Sequence, residues 1–376
     1  MIDSDDFLTP GQLISALMAE RGWTNRVLSV VLDIDETVVS RLLSGKRPLD
    51  ATLAIVLEDV FGTPAERFLD LQKSFDLAQA RLASRSDPNR ATRAHLFGEL
   101  PVSEMIKRGW ISAESVRDVD AVQSELMRFF GVNRVEDIEG MPHAAKRTDV
   151  FGDASLTQLA WLYRVQQIAK DMLVAKYSPT TIGGVVSKIK ALLSSVEEIR
   201  KVPRILGEAG VRFLIVEALP SSKIDGVCFW LNPNAPVIAL SLRFDRIDNF
   251  WFVLRHELEH VILRHGLSKA MIDTDMEGRK GDVAAEEAAA NKSAAEFCVP
   301  SSMMEAFVAR KAPFYRDADI VAFSRMLRVH PGIVAGQLRR RLDRYDRFGN
   351  HLAKVRHIIT PNAITDGWGD VAPLGL

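Results

Sequence analysis

Cysteine and long hydrophobic runs are the scarcest features of this chain. Its 376 residues include only two cysteines, Cys228 and Cys298, too few for a disulfide framework or a multi-cysteine zinc site. Any metal must therefore be held by histidine and carboxylate. No run of about 18 apolar residues is present, and the acidic N-terminus MIDSDDFLTP lacks the basic-then-apolar pattern of a secretory signal. These absences predict a cytoplasmic protein with no membrane span.

The chain also lacks an excess of either charge, with 48 Lys and Arg against 49 Asp and Glu. This balance excludes a protein that holds nucleic acid by overall positive charge, although a local basic patch would still serve. Residues 1–80 carry seven basic and thirteen acidic side chains, a net charge of −6. Residues 301–376 carry twelve basic and seven acidic side chains, a net charge of +5. The near-zero net charge of the chain therefore conceals an acidic N-terminal region and a basic C-terminal region.

The length allows two or three domains of about 100–200 residues each. Short helical patterns fill residues 8–80, where Asp33 breaks the second helix and Asp35 is a candidate N-cap of the third. Three β-branched runs, VRFLIV, GVCFWL and PVIALSL, predict strands, the last two forming a hairpin. The predicted fold class is mainly α with an α+β part. The predicted domains are 1–85 (helix-turn-helix), 86–200 (helical linker or scaffold) and 201–376 (α+β).

Helical patterns flank the predicted strands on both sides. Before the strands they cover residues 101–108, 112–130, 154–175 and 180–196, and after them residues 247–265, 283–298, 317–327 and 331–344.

One segment contains a motif of metal-binding and acid–base residue types. RHELEHVILRH contains His256, Glu257 and His260 in an HExxH spacing. Residues four apart on a helix share a face, so both imidazoles can bind one zinc ion. Glu257 would take a proton from a water at the metal as hydroxide attacks a carbonyl. The motif predicts peptide hydrolysis that combines a Lewis acid with a general base.

A catalytic zinc needs a third protein ligand. The segment AAEEAAANKSAAEF offers Glu286 and Glu287, which lie 26 and 27 residues beyond His260. We prefer Glu287 because Asn291 follows it by one turn on the same face, where an amide could orient an imidazole. His265 does not share the face of His260 and is interpreted as a helix-end residue.

The same segments resemble a known family. Residues 202–342 resemble the ImmA/IrrE-type metallopeptidases in DGVCFWL, PVIALSL, RFDRIDNFWFVLRHELEHVIL, EEAAANKSAAEFCVPSSM and HPGIVAGQL. This resemblance implies a zincin-like domain, with proteolysis directed at a partner regulator. The chain departs from the family at Ser293, where a larger apolar residue is common. The implied metal ligands are His256, His260 and Glu287, with Glu257 as the base.

The first 80 residues resemble the helix-turn-helix of the HigA-type antitoxins in the Xre class, through TPGQLISALMAERGWTN and SRLLSGKRPLDATLAIVLEDVFGTPAERFLDLQ. Such domains usually bind DNA as dimers, so we expect a homodimer. Expected phosphate contacts are Asn25, Arg26, Arg41, Lys46 and Arg47. Expected base contacts are Glu36, Thr37 and Ser40. Because the local net charge is unfavourable for DNA, the alternative is a helical protein-interaction domain.

Together these features predict a DNA-binding transcriptional regulator of toxin–antitoxin or stress/phage-response type. It would carry Zn²⁺, bind the operator of its own operon, and cleave a protein partner encoded nearby as a zinc metalloendopeptidase. The substrate peptide is expected beside an edge strand near residues 237–242. His330, at a helix start, is a candidate transition-state donor or a capping residue. The alternative is a non-proteolytic toxin–antitoxin or sensor protein that acts by partner binding, with zinc structural or regulatory.

Overall fold

The structure, a computed structural model, divides into two compact units, Met1–Asn89 and Arg90–Leu376. The predicted fold class is confirmed, because helices dominate both units and a small sheet lies in the second. Within the described ranges, no helix is both long and apolar enough to cross a membrane. The residues described are 7–83, 90–139, 154–267, 270–274 and 285–374.

The described part of the first unit is all helical. Its helices are α1 (Pro10–Glu20), α2 (Asn25–Leu32), α3 (Glu36–Leu43), α4 (Ala51–Phe61) and α5 (Ala65–Ala83). Each helix contributes apolar side chains to one shared core, which holds α2 and α3 as the helix-turn-helix pair. Burial of such side chains contributes roughly 1.5–3 kcal/mol each to folding. Five of them that are at most 1% exposed are Leu13, Leu28, Val39, Leu57 and Phe68.

Polar caps set the turn between α2 and α3. The Thr24 side chain accepts a hydrogen bond from the Val27 N–H, and Asp35 accepts one from the Thr37 N–H at 2.7 Å. Asp33 ends α2 with φ 51°, in a left-handed conformation that aspartate tolerates better than most side chains. The predicted break at Asp33 and the predicted N-cap at Asp35 are both confirmed.

Helices of the second unit fall before and after the first three strands. The first group is α6 (Arg90–Glu99), α7 (Val102–Lys107), α8 (Val119–Phe130), α9 (Val135–Glu139), α10 (Leu156–Asp171), α11 (Pro179–Lys190) and α12 (Val202–Glu208). The second group is α13 (Ile247–Ile262), α14 (Ala285–Cys298), α15 (Ser301–Lys311), α16 (Asp317–Leu327), α17 (Pro331–Leu342) and α18 (Arg356–Ile359). Short 3₁₀ segments span Glu197–Lys201, Gly349–His351 and Thr360–Asn362.

The described strands form one sheet in the order β4-β2-β3-β1-β5. They are β1 (Arg212–Val216), β2 (Ile224–Trp230), β3 (Pro236–Leu240), β4 (Met271–Thr274) and β5 (Ile364–Asp366). The predicted hairpin is confirmed, since β2 pairs antiparallel with β3. However, β3 also pairs in parallel with β1. The prediction of an edge strand near residues 237–242 is therefore wrong, because β3 has a neighbour on each side.

Both faces of the sheet are buried, and alternate residues of β1 face different cores. Phe213 and Ile215 join the core that contains α13, whereas Leu214 and Val216 join the core that contains α8 and α10. The Trp161 Nε1–H of α10 donates to the Val216 carbonyl at 3.0 Å. The helical region before the sheet therefore packs on it directly and covers one of its faces.

Some elements differ from the sequence predictions. The helices predicted at 112–130 and 180–196 are shorter, since α8 begins at Val119 and α11 ends at Lys190. Neither α15 nor the strands β4 and β5 were predicted. In α15 two residues, Met304 and Phe307, are buried. The strands β4 and β5 have four and three residues. The boundaries predicted near residues 86 and 201 remain predictions.

Candidate functional site

The HExxH segment lies on α13, a helix of 16 residues that packs against the sheet. His256 and His260 occupy successive turns, and their Nε2 atoms are 3.0 Å apart. Neither side chain has any exposed surface. The four-residue spacing therefore places both rings on one face of the helix, as predicted.

Glu287 comes from the first turn of α14, which packs across α13. Its carboxylate oxygens lie 3.3 Å from His256 Nε2 and 3.5 Å from His260 Nε2. The adjacent Glu286 is more than half exposed and approaches His265 instead, at 3.8 Å. Ligand atoms of the three predicted metal-binding residues all lie within 4.8 Å of one another. The structure thus brings together the preferred set and leaves Glu286 outside it.

The charges of this group suit a cation. Burial lowers the pKa of His260 to about 4, with the charge of His256 acting in the same direction and Glu287 opposing it. His260 is therefore neutral near pH 7. The buried Glu287 Oε2 accepts no hydrogen bond from any residue that the structure describes. Two imidazoles and one carboxylate, with a fourth position left to solvent or substrate, form the donor set of many zinc sites.

His265 contacts the candidate metal ligand His260, a contact that the sequence did not predict. Its Nδ1 lies 3.0 Å from His260 Nδ1, and its Nε2 faces Glu286. Metal-ligating histidines usually donate their second N–H to an acceptor, most often a carboxylate, a carbonyl or water, and this fixes the ring orientation. A neutral His265 ring offers such an acceptor nitrogen to His260. The turn after α13 places His265 there, as the His265 N–H donates to the His260 carbonyl at 2.8 Å. The side chain reaches His260 because the backbone leaves the helix at this point.

Asn291 lies one turn beyond Glu287 on α14, as predicted. It is half-buried, and its side chain forms no hydrogen bond with another residue in the described part of the chain. The Nδ1 atom of His260 lies instead against His265 Nδ1, at 3.0 Å. The orienting role of Asn291 remains a prediction.

The predicted base, Glu257, is fully buried between α13 and strand β2. A β-carbon at Gly226 of β2 would collide with the Glu257 carboxylate and lie 2.9 Å from Val253 Cγ1. Glycine at this position therefore lets the helix approach the sheet and leaves room for the carboxylate. The role of Gly226 could not be predicted from the sequence, because its contact with Glu257 joins residues 31 positions apart.

A polar clamp fixes α14 against α13. The Ser293 hydroxyl donates to Glu259 Oε1 at 2.8 Å, and Arg255 Nη1 lies 2.7 Å from Glu259 Oε2. Ser293 is a position at which this chain departs from the resembled family. The small hydroxyl there joins the two helices that carry the candidate ligands.

The structure gives His330 a capping position at the start of α17. Its Nδ1 accepts a hydrogen bond from the Gly332 N–H at 3.0 Å, and its own N–H donates to the Leu193 carbonyl at 2.7 Å. Burial lowers the pKa of His330. Of the two interpretations, the capping one has a visible contact, and a catalytic role remains a prediction.

The residues predicted to contact DNA lie on α2, on α3 and in the turn after α3. Asn25 is half-buried and the others are exposed: Arg26, Glu36, Thr37, Ser40, Arg41, Lys46 and Arg47. The Thr37 hydroxyl also hydrogen-bonds the Asp35 carboxylate, and this bond is the main reason the pKa of Asp35 is lowered. A contact between Thr37 and a base must therefore compete with the cap of its own helix.

Two comparisons with known proteins bear on these regions. The first is with an uncharacterized HTH-type transcriptional regulator, YddM, of Escherichia coli (strain K12). The N-terminal part is 34% identical to it over 71 residues, 19% of this chain and 76% of that protein. The chain belongs to the HTH-type transcriptional regulators. Residues 208–342 match the IrrE N-terminal-like domain, Peptidase_M78. This regulator therefore carries a peptidase-family domain, and the matched residues include the whole candidate metal centre.

Proposed function

We propose that this regulator binds DNA through α3 and uses a zinc-dependent metallopeptidase domain to cleave a protein partner. The observation that carries the proposal is the convergence of His256, His260 and Glu287, with Glu257 beside them. The helix-turn-helix match supports DNA binding; binding to an operator, in the cytoplasm and as a homodimer, is part of the proposal. The toxin–antitoxin or stress/phage-response setting, with a partner encoded nearby, belongs to the same proposal.

The residues divide the chemistry between them. His256, His260 and Glu287 would hold the zinc ion, and His265 would orient His260. Bound zinc would supply Lewis-acid polarisation of the scissile carbonyl and a nucleophile at neutral pH. Glu257 would accept the proton of the attacking water and return it to the leaving amine. Gly226 leaves the space in which that carboxylate lies.

A second function, partner binding without cleavage, is favoured by the burial of the centre. His256, Glu257 and His260 have no accessible surface, whereas a scissile carbonyl must reach the metal. In that case zinc would be structural or regulatory. The two functions differ in whether the Glu257 carboxylate is needed.

Co-expression with the product of the neighbouring gene separates them. Glu257→Gln keeps the size of the side chain but removes the base, so we expect zinc and complex formation to persist while cleavage falls about 10²-fold or more. Unchanged cleavage in this variant would exclude Glu257 as the base. A cellular effect that survives the change would favour the second function.

The DNA role has its own test. Gel-shift on the upstream DNA of the chain's own gene should show weaker binding by Arg41→Ala and Lys46→Ala, since each removes a phosphate contact. Each should also lower the slope of log affinity against log salt by about 1. Lys73→Ala, an exposed lysine on α5, is the matched control. Equal binding by all three variants would reject α3 and the following turn as the DNA surface.

A further inference from the structure

A cavity of about 450 Å³ lies beside the metal centre, lined by residues of α13, α14, α15 and α17. Small-molecule sites commonly measure about 300–1,000 Å³. Phe252 and Asn291 line this cavity, and each lies one helical turn from a candidate metal ligand, His256 and Glu287 respectively. The cavity therefore adjoins the metal centre without including its ligands.

Close contacts between helices hold the cavity walls in place. A β-carbon at Gly336 would collide with the Asp248 carboxylate, so α17 approaches α13 more closely than a larger residue would allow. The Gln337 amide donates to the Ala295 carbonyl at 2.8 Å and ties α17 to α14. A site that is already formed loses less conformational entropy when a ligand binds.

Apolar side chains form the inner wall. Val299, Met304 and Ile333 are buried and line the cavity together with Phe252. The Phe252 ring stacks near His256, with ring centroids 6.5 Å apart. A molecule that contacts Phe252 would therefore touch the residue packed against a metal ligand.

Cationic side chains stand at the rim. Lys292, Arg340 and Arg341 line the cavity and are exposed. None of them forms an ion pair with another residue among those that the structure describes. Arg340 extends over the Phe252 ring, with its guanidinium 4.9 Å from the ring centroid. This arrangement places positive charge directly beside an apolar surface.

The carboxylates of the cavity do not cancel this charge. Asp248 is neutralised by a two-pronged pair with Arg246, at 3.1 Å and 2.8 Å. Glu305 is the remaining carboxylate in the lining. The rim thus keeps an excess of positive charge that is available to a ligand.

We propose that this cavity binds a small amphipathic anion, with its apolar body against Phe252 and its anionic group between Arg340 and Arg341. The volume, the apolar wall and the unpaired cations carry the inference, and it does not depend on peptidase activity. The shared chemistry of the ligand is one negative head group, either carboxylate or phosphate, on an apolar body.

The test is a fluorescence titration of the full chain with 8-anilinonaphthalene-1-sulfonate. We expect one saturable site, and about tenfold weaker binding of the uncharged analogue N-phenyl-1-naphthylamine. The double variant Arg340→Gln/Arg341→Gln should lower affinity for the anion about tenfold. Arg310→Gln/Arg325→Gln removes the same charge from exposed positions outside the cavity and should leave affinity unchanged. Competition by octanoate and by phenyl phosphate then distinguishes the head groups.

A substitution that fills the cavity tests the proposed ligand site independently. Ala295→Trp places a large ring in the cavity lining and should abolish probe binding in protein whose circular dichroism is unchanged. Equal affinity in the two double arginine variants would overturn the proposal, as would full binding by a folded Ala295→Trp variant. Failure of both octanoate and phenyl phosphate to displace the probe would overturn the assigned ligand class.

Discussion

The candidate metal centre and the helix-turn-helix surface are both marked by short sequence motifs, yet their surroundings differ. The three candidate metal ligands are at most 8% exposed, whereas seven of the eight residues predicted to contact DNA are exposed. A buried polar group needs a partner within the fold, so its neighbours restrict its chemistry. An exposed side chain is satisfied by water, and the structure restricts its partner far less.

The largest expected effect is a loss of bound zinc without a loss of DNA binding. His256→Ala/His260→Ala removes two of three ligands from the second unit and changes no residue of the first. We expect bound zinc to fall from about one per chain to below about 0.1, while binding to operator DNA stays unchanged. Metal analysis and gel-shift on one preparation measure both. A folded variant that keeps its zinc, or that loses DNA binding along with it, would contradict this separation.

His265→Ala sharpens the comparison, since it removes a half-buried contact of a candidate ligand that no sequence motif marks. Loss of the partner of His260 Nδ1 should weaken zinc binding about 10- to 100-fold, measured by competition with a chelator. His357→Ala, an exposed histidine on α18, is the control and should bind zinc as the native chain does. Identical affinities in the two variants would mean that His265 does not orient His260.

Gly226→Ala tests the contact between strand β2 and Glu257, the proposed base. The added methyl group collides with Glu257, so we expect about 1–3 kcal/mol of destabilisation and about tenfold slower cleavage, with zinc retained. Gly183→Ala on α11, where a β-carbon meets nothing within 4 Å, should instead stabilise by about 0.5–1 kcal/mol. Denaturant titration gives both values. Undiminished cleavage by Gly226→Ala would show that Glu257 needs no such space.

Ser293→Ala has the smallest expected effect. It removes one hydrogen bond to Glu259, worth about 0.5–1.5 kcal/mol, and loosens α14 where it crosses α13. Zinc affinity should fall a few-fold, because Glu287 lies on the same helix. Ser302→Ala, exposed on α15, should change neither quantity. A variant that matches this control in both would show that the Ser293–Glu259 hydrogen bond does not hold α14 against α13.

These contacts show which parts of the site can be predicted from sequence. His256, His260 and the turn of α14 that holds Glu287 follow from helical spacing, which is local. Gly226 and His265 do not, because the first acts across the sheet and the second acts where the chain leaves its helix. Their positions depend on packing between elements, and neither residue type marks a site by itself.

The same distinction between local and long-range contacts applies to the fold. The strands β1, β2 and β3 and the helix caps near Asp33 and Asp35 follow from local residue patterns. The pairing of β3 with β1 joins segments more than 20 residues apart, from Arg212 to Val237, and no local pattern encodes it. The predicted edge strand was wrong for that reason.

The most direct test is the zinc content of the native chain. Protein expressed with zinc supplementation, freed of loosely bound metal and analysed by mass spectrometry of the elements, should contain about one zinc per chain. Absence of zinc, or the same content in the His256→Ala/His260→Ala variant, would contradict the assignment of His256, His260 and Glu287 as the metal centre.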